Sequence, residues 1–210
     1  MRRISRWLVL LMAICLSLLA LMAAGCGASA DKESSAKAQT ASQTSRAESS
    51  DASMAEGAGK GKSLVLYYSL TGTTERVARQ IQQETGADIL KVEPVKEYPT
   101  DYDTATKIAK QEQEANARPA VKNDLSSLAQ YDTIYLGYPI WWNSMPMFFY
   151  TMIESGAFDG KTVIPFATSG GSSIDNSVEV IKELAPKARV NEGLTANAHA
   201  DIKGWLNKVR

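Results

Sequence analysis

Hydrophobic positions in this 210-residue chain mass once in a run from Trp7 to Ala24 broken only by Ser17, thin out almost entirely to Lys60, and return from Leu64 in two alternating rhythms. One rhythm is the short continuous apolar run that a strand buried on both faces requires. Leu64-Val65-Leu66-Tyr67-Tyr68 is the first; Asp88 to Val92, Thr133 to Gly137 and Thr162 to Ala167 follow, and a weaker fifth lies near Arg189 to Leu194. The other rhythm has helical spacing. Thr74, Val77, Ala78, Ile81 and Thr85 recur on one face before Gly86, a natural C-terminal stop. A polar helix is predicted over Thr104 to Ala115, and another begins at Pro146 and ends at Gly156. Asn176 and Glu179 suit a capping box for a helix with Val178, Ile181 and Leu184 inward, stopped by Pro186. The last helix carries Ile202, Trp205, Leu206 and Val209. Strand and helix alternating in this way predict an α/β domain with a parallel sheet over residues 62–210.

The segments before that domain follow a different logic. Arg2, Arg3 and Arg6 precede the apolar run, and small residues close it, which is the layout of a secretory signal over residues 1–25. Ala23-Ala24-Gly25-Cys26 resembles the bacterial lipobox, which implies lipid on Cys26 and cleavage just before it; Ala23 stands where that motif usually has Leu. Two other readings stand beside it. Ala28-Ser29-Ala30 offers an ordinary signal-peptidase site, and the 18 residues from Trp7 to Ala24 reach the lower limit of a transmembrane span. Arg2-Arg3 fits a twin-arginine signal poorly, since Ser5 sits where that signal wants a large apolar residue. Residues 26–61 then read as a tether. Twenty of the 34 residues from Gly27 to Lys60 are Gly, Ala or Ser, and Met54 is the sole large apolar side chain, too little to offset the entropy of ordering. As a flexible coil it would reach about 30 Å, enough to hold a domain clear of lipid headgroups. Gly57 to Ser63 imitates a P-loop, but Glu56 stands where the first Gly must fall and the stretch precedes a strand instead of following one.

Composition narrows the chemistry. Hydrophobic residues at 44% and charged ones at 22% are globular values and exclude collagen-like, coiled-coil and wholly disordered chains. Basic and acidic residues balance at 23 each, leaving no excess to neutralise nucleic-acid phosphates. Removing the signal takes three arginines and no acid, so the exported chain carries 20 basic and 23 acidic residues, net −3. Two cysteines without a Cys-x-x-Cys and a single histidine, His199, predict no metal site and leave little for a Ser-His or Cys-His mechanism. His199, Met145 and Met147 are expected to be structural.

In a parallel sheet of this kind ligands bind beyond the carboxyl ends of the strands, where strand order reverses. Three loops there are unusual. Ser69-Leu70-Thr71-Gly72-Thr73-Thr74 sets four hydroxyls around a helix N-terminus whose free N–H groups bind phosphate without a cation. Gly137-Tyr138-Pro139-Ile140-Trp141-Trp142-Asn143-Ser144-Met145-Pro146 brackets two adjacent tryptophans with prolines. Adjacent loop side chains diverge, so one indole is expected to face a planar ligand, which backbone hydrogen bonds would also hold. Ala167-Thr168-Ser169-Gly170-Gly171-Ser172-Ser173 supplies paired glycines that let backbone approach a ligand closely.

Tyr67 to Thr74, followed by Ala78, resembles the phosphate loop of the flavodoxin-like family, and Tyr131 to Pro186 is especially similar to it. The resemblance covers nearly all of Leu64 to Arg210 and none of the signal or tether. It implies a doubly wound five-stranded parallel sheet of order 2-1-3-4-5, helices on both faces, and FMN held noncovalently. It places the phosphate on Ser69, Leu70, Thr71, Gly72, Thr73 and Thr74. It sets Pro139, Ile140, Trp141, Trp142 and Asn143 along one face and edge of the ring, and Thr168, Ser169, Gly170 and Gly171 at its pyrimidine end. Tyr98 falls in a loop that either reaches the flavin or packs on the surface. No side chain is assigned as a catalytic acid or base, since the chemistry belongs to the flavin. The expected function is electron transfer or NAD(P)H-linked reduction of a quinone or redox partner, by a lipid-anchored protein at the outer face of a bacterial membrane. The alternative is a non-catalytic lipoprotein using the fold as a ligand-binding or interaction module. Known flavodoxins are strongly acidic shuttles; the near-neutral charge here favours a membrane-held reductase.

Overall fold

The computed structural model describes residues 61–210, and the expected signal, lipid-bearing Cys26 and tether lie outside that range. The first apolar run forms β1 (Ser63–Tyr67), which leads through a short loop into α1 (Thr73–Thr85). Gly86 ends that helix as expected, in a left-handed conformation with its N–H donated to the Gln82 carbonyl at 2.8 Å. β2 (Asp88–Lys91) precedes α2 (Tyr102–Glu114), capped by the Asp101 carboxylate on the Thr104 N–H. A 3₁₀ turn over Leu125–Gln130, which no sequence pattern predicts, seats Leu128 in the core before β3 (Thr133–Pro139). Then follow α3 (Met147–Glu154), β4 (Thr162–Thr168), α4 (Asp175–Leu184), the short strands β5 (Arg189–Val190) and β6 (Leu194–Thr195), and α5 (Ile202–Val209).

The strands are all parallel and run in the order β2-β1-β3-β4-β5, with β6 also paired to β4. Alternate residues of β1 feed two separate cores, as the period-2 geometry of a strand demands. Leu64, Leu66 and Tyr68 pack with Phe148, Phe149 and Ile181 on one face; Val65 and Tyr67 pack with Val77, Ile81, Trp205 and Leu206 on the other. The sheet is therefore covered on both sides, which is why its strands read as unbroken apolar runs.

Two expectations are corrected here. The fifth strand is interrupted. Asn191-Glu192-Gly193 separates β5 from β6, and a Cβ at Gly193 would come within 2.9 Å of the Ile174 and Val178 side chains. The Asn191 side chain instead donates to the Val209 carbonyl, which ties the break to α5. The Asn176–Glu179 capping box does not form either. α4 starts two residues earlier, with the Ser173 hydroxyl accepting from the Asp175 N–H, while Asn176 donates to the Asn143 carbonyl and Glu179 pairs with Lys182.

Candidate functional site

The carboxyl ends of β1, β3 and β4 open on one cavity of about 470 Å³, at the point where strand order reverses between β1 and β3. Leu70, Thr71, Thr73 and Thr74 from the loop after β1 form one side of it. Pro139, Ile140 and Trp141 form the second side, and Thr168, Ser169 and Gly170 the third. The three loops singled out in the sequence thus converge on one space.

Their positions are set by hydrogen bonds between loops. Thr74 and Thr168 are both buried, and their hydroxyls lie 2.8 Å apart, joining the start of α1 to the end of β4. Ile140 N–H donates to the Thr168 carbonyl at 2.8 Å. Ser169 uses its hydroxyl to accept from the N–H groups of Gly171 and Ser172, closing the third loop on itself, and its own N–H goes to Asn197 Oδ1. Built Cβ atoms at Gly170 and Gly171 would meet nothing within 4 Å, so no internal packing requires these glycines and the space beside them is open. Gly72 is different. It sits at φ 87° as the N-cap of α1, where any side chain would be strained.

The two tryptophans do diverge. Trp141 is 3% exposed and packs edge-on against Tyr98 and Tyr68, with ring centroids 5.1 and 6.0 Å away. Trp142 is 47% exposed; its indole N–H donates to the Thr106 carbonyl of α2, and Lys110 Nζ lies 4.7 Å from the ring centroid. Trp141 and Ser144 exchange backbone hydrogen bonds around Trp142 and Asn143, which have φ of 50° and 62°. That is a two-residue turn of the type that normally carries Asn-Gly. The strain of placing two side chains there is offset by anchors on both flanks: Gln113 donates to the Trp142 carbonyl and Asn176 to that of Asn143. Trp142 and Asn143 therefore shape the loop, while Trp141 lines the cavity.

Ser69, Gly72 and Gly171 are also outside the cavity wall. Ser69 faces a second space of about 280 Å³ between the β1 and β2 loops, where Tyr68 and Tyr98 also stand. Five wall residues were not anticipated: Arg76 near the start of α1, Tyr102 at the start of α2, and Ala196, Asn197 and Ala198 after β6. Arg76 was legible as the first basic residue of a helix whose N-terminus faces the site; Tyr102 and Asn197 come from parts of the chain with no motif. Arg76 makes the α1 end of the cavity more cationic than hydroxyls alone would. The wall carries no carboxylate, and nearby Glu75 is held by Arg79 at 2.6 Å. Among the described residues no cluster of His, Cys, Asp or Glu is arranged to hold a metal ion.

Among the described residues two buried side-chain polar atoms have no hydrogen-bond partner, Ser69 Oγ and Trp141 Nε1, and both residues belong to the loops around this cavity. Unsatisfied buried donors are rare in folded proteins and point to groups supplied from outside. The flavodoxin family model matches residues 62–209. The chain belongs to the flavodoxin family. It is 40% identical to a Bacteroides uniformis protein assigned as a flavoprotein, over 71% of this chain and 99% of that one, with a TM-score of 0.64. A Bacteroides eggerthii protein, assigned likewise, is 36% identical over 71% and 98% of the two chains, also with a TM-score of 0.64. A Lactobacillus acidophilus flavoprotein solved in complex with FMN shares the fold at 23% identity and a TM-score of 0.56, over 70% and 99%. No curated protein matches the chain.

Proposed function

We propose that this flavodoxin binds FMN in the cavity at the β1/β3 switch point and uses it for electron transfer or NAD(P)H-linked reduction of a quinone or protein redox partner. The observation that carries this reading is the convergence on one cavity of a helix N-terminus with Arg76, a buried indole and an open glycine loop. Each suits a different part of the cofactor. The N–H groups at the start of α1, the Thr71 and Thr73 hydroxyls and Arg76 suit the phosphate dianion. Trp141 offers the ring an apolar wall and an unpartnered N–H. Ser169 and Gly170 present backbone at the opposite side. When bound, FMN supplies the redox chemistry at its ring. The chain's own residues bind, orient and exclude water. Burial pushes the Tyr68 phenol up to about 12, so it stays neutral beside the site at physiological pH.

The test is a titration of the full chain, in detergent, with FMN, followed by anaerobic NADH or NADPH. Uptake with a shifted visible spectrum is expected for the wild type and for Trp142→Ala. Trp141→Phe should bind more weakly, since a stacked indole is worth about 0.5–1.5 kcal/mol beyond its area. Bleaching by nicotinamide identifies a reductase and binding without bleaching a carrier; a chain that remains colourless after FMN is added does not bind the cofactor.

The reading extends to location. Residues 1–25 act as an export signal, Cys26 carries lipid, and residues 26–61 tether the domain at the outer face of a bacterial membrane. This rests on the basic start, the apolar run and the Ala24-Gly25-Cys26 sequence. No helix among the described residues is long and apolar enough to cross a membrane. Cys26→Ser should therefore shift the protein from the membrane fraction to the soluble or retained-precursor pool. An unchanged membrane fraction with an uncleaved signal would identify the apolar run as a transmembrane anchor instead.

A further inference from the structure

Trp141 joins the wall of the main cavity to a group of buried aromatic rings. Tyr98, 9% exposed, lies 5.1 Å from it between centroids at an interplanar angle of 64°, and Tyr68 lies 6.0 Å away. Both distances are within the normal range for aromatic contact, so no solvent layer separates the rings. What distinguishes the three is the fate of their protons. The Trp141 indole N–H is buried and has no acceptor. The Tyr98 hydroxyl donates to Glu112 Oε2 at 2.5 Å, and Glu112 is a partly exposed residue of α2. Tyr68 has no carboxylate partner among the described residues, although it stands beside the same second cavity as Tyr98.

These endings give the cluster a direction. Among the described residues no carboxylate stands at the Trp141 N–H to take its proton on oxidation, so the hole there keeps a strong pull on electrons. A phenol gives up an electron readily only when its proton leaves at the same time, and Tyr98 has a carboxylate in place to take it. Burial and the bond to Glu112 both hold the Tyr98 phenol above its ordinary value, so it retains its proton until it is oxidised.

We propose that Trp141, Tyr98 and Glu112 form a proton-coupled electron relay that carries an oxidising equivalent from the flavin cavity to Tyr98 and the released proton to Glu112 of α2. This rests on FMN occupying that cavity. The oxidant is light-excited, oxidised FMN. Trp141 would give it one electron, and oxidised Trp141 would take one from Tyr98. The Tyr98 O–H bond breaks and its proton goes to the Glu112 carboxylate. The net change is one electron moved from Tyr98 to the flavin and one proton moved from Tyr98 to Glu112, and the reverse transfer restores every group. The arrangement draws the hole away from the cofactor and onto a residue whose proton has a route to solvent.

The experiment uses the full chain loaded with FMN, with loading measured by absorbance before each flash. Blue-flash transient absorption and low-temperature electron paramagnetic resonance then read the radicals. A neutral tyrosyl radical is expected in the wild type and in Tyr68→Phe. It should be lost in Tyr98→Phe, where a tryptophan radical persists instead. Glu112→Gln, at a partly exposed position, should take up FMN normally and also lose the tyrosyl signal. In D₂O the tyrosyl radical should form more slowly while the first step at Trp141 keeps its rate. A tyrosyl signal of undiminished size in Tyr98→Phe or in Glu112→Gln overturns the relay, as does FMN uptake with no tyrosyl radical in the wild type. Failure of the wild type to take up FMN overturns the relay and the proposed cofactor together.

Discussion

Replacing Thr73 by Asp is expected to lower FMN affinity by about three orders of magnitude, leave riboflavin binding nearly unchanged, and slightly raise the stability of the domain. Thr73 is the first residue of α1, exposed and in the cavity wall. A carboxylate there would meet the phosphate dianion at contact range, which costs roughly 4 kcal/mol at an effective dielectric of 20. That corresponds to about three decades in affinity. The same carboxylate sits at the positive end of the helix, where a negative charge contributes about 0.3–1 kcal/mol of stability. The two effects have opposite signs, so damage to the fold cannot imitate the result. Neighbouring Thr74 would be a poor choice because its hydroxyl is buried against Thr168, and a charge there would disrupt the joint between two loops. Parallel FMN and riboflavin titrations with a thermal melt decide the matter. Equal losses for both ligands, or none for either, would place the phosphate elsewhere.

The second large effect is on stability. Phe166 of β4 is fully buried, and its ring lies over Gly137 of β3, its register partner. A Cβ at Gly137 would fall 2.1 Å from Phe166 Cζ, so the glycine makes room for the ring. Phe166→Ala should cost about 3–5 kcal/mol through lost burial and the cavity left behind. For a domain of this size that lowers the melting temperature by on the order of 10 °C. Gly137→Ala alone should cost about 1–3 kcal/mol by overpacking. Combined, the two should cost less than their sum by about 0.5–3 kcal/mol, because the methyl introduced at position 137 then fills part of the void. Urea unfolding of the wild type, both single variants and the double variant measures the coupling. Strict additivity would mean that the ring moves aside without strain. The pair lies close to Pro139 and Thr168, so Gly137→Ala should also weaken FMN binding.

Much of the site was legible because it follows from local rules. A buried strand, a hydroxyl-rich turn and a helix N-terminus are adjacent in sequence, so the loop from Ser69 to Thr74 announced itself. The glycine loop after β4 did so for the same reason. Cross-chain selections were not legible. Trp141 and Trp142 have the same side chain and neighbouring positions, and nothing local separates them. Trp141 entered the cavity wall because Tyr68 and Tyr98 close around it, and Trp142 swung out because α2 presents the Thr106 carbonyl to its indole. Asn176 read as a helix cap by its spacing, yet its amide was taken by the strained carbonyl of Asn143, 33 residues away in sequence. Arg76, Tyr102 and Asn197 joined the site from three different parts of the chain.

The sequence by itself determined the alternation of strands and helices, the burial of the sheet on both faces and the three loops at its carboxyl edge, since each is a pattern of neighbouring residues with a local energetic cause. The tertiary structure alone decided which tryptophan faces the cavity, which cation stands in its wall at the start of α1, where the fifth strand breaks and which tyrosine rests on a carboxylate. Those outcomes depend on groups far apart in the chain competing for the same donors, acceptors and space. Such competition is settled only when the elements pack.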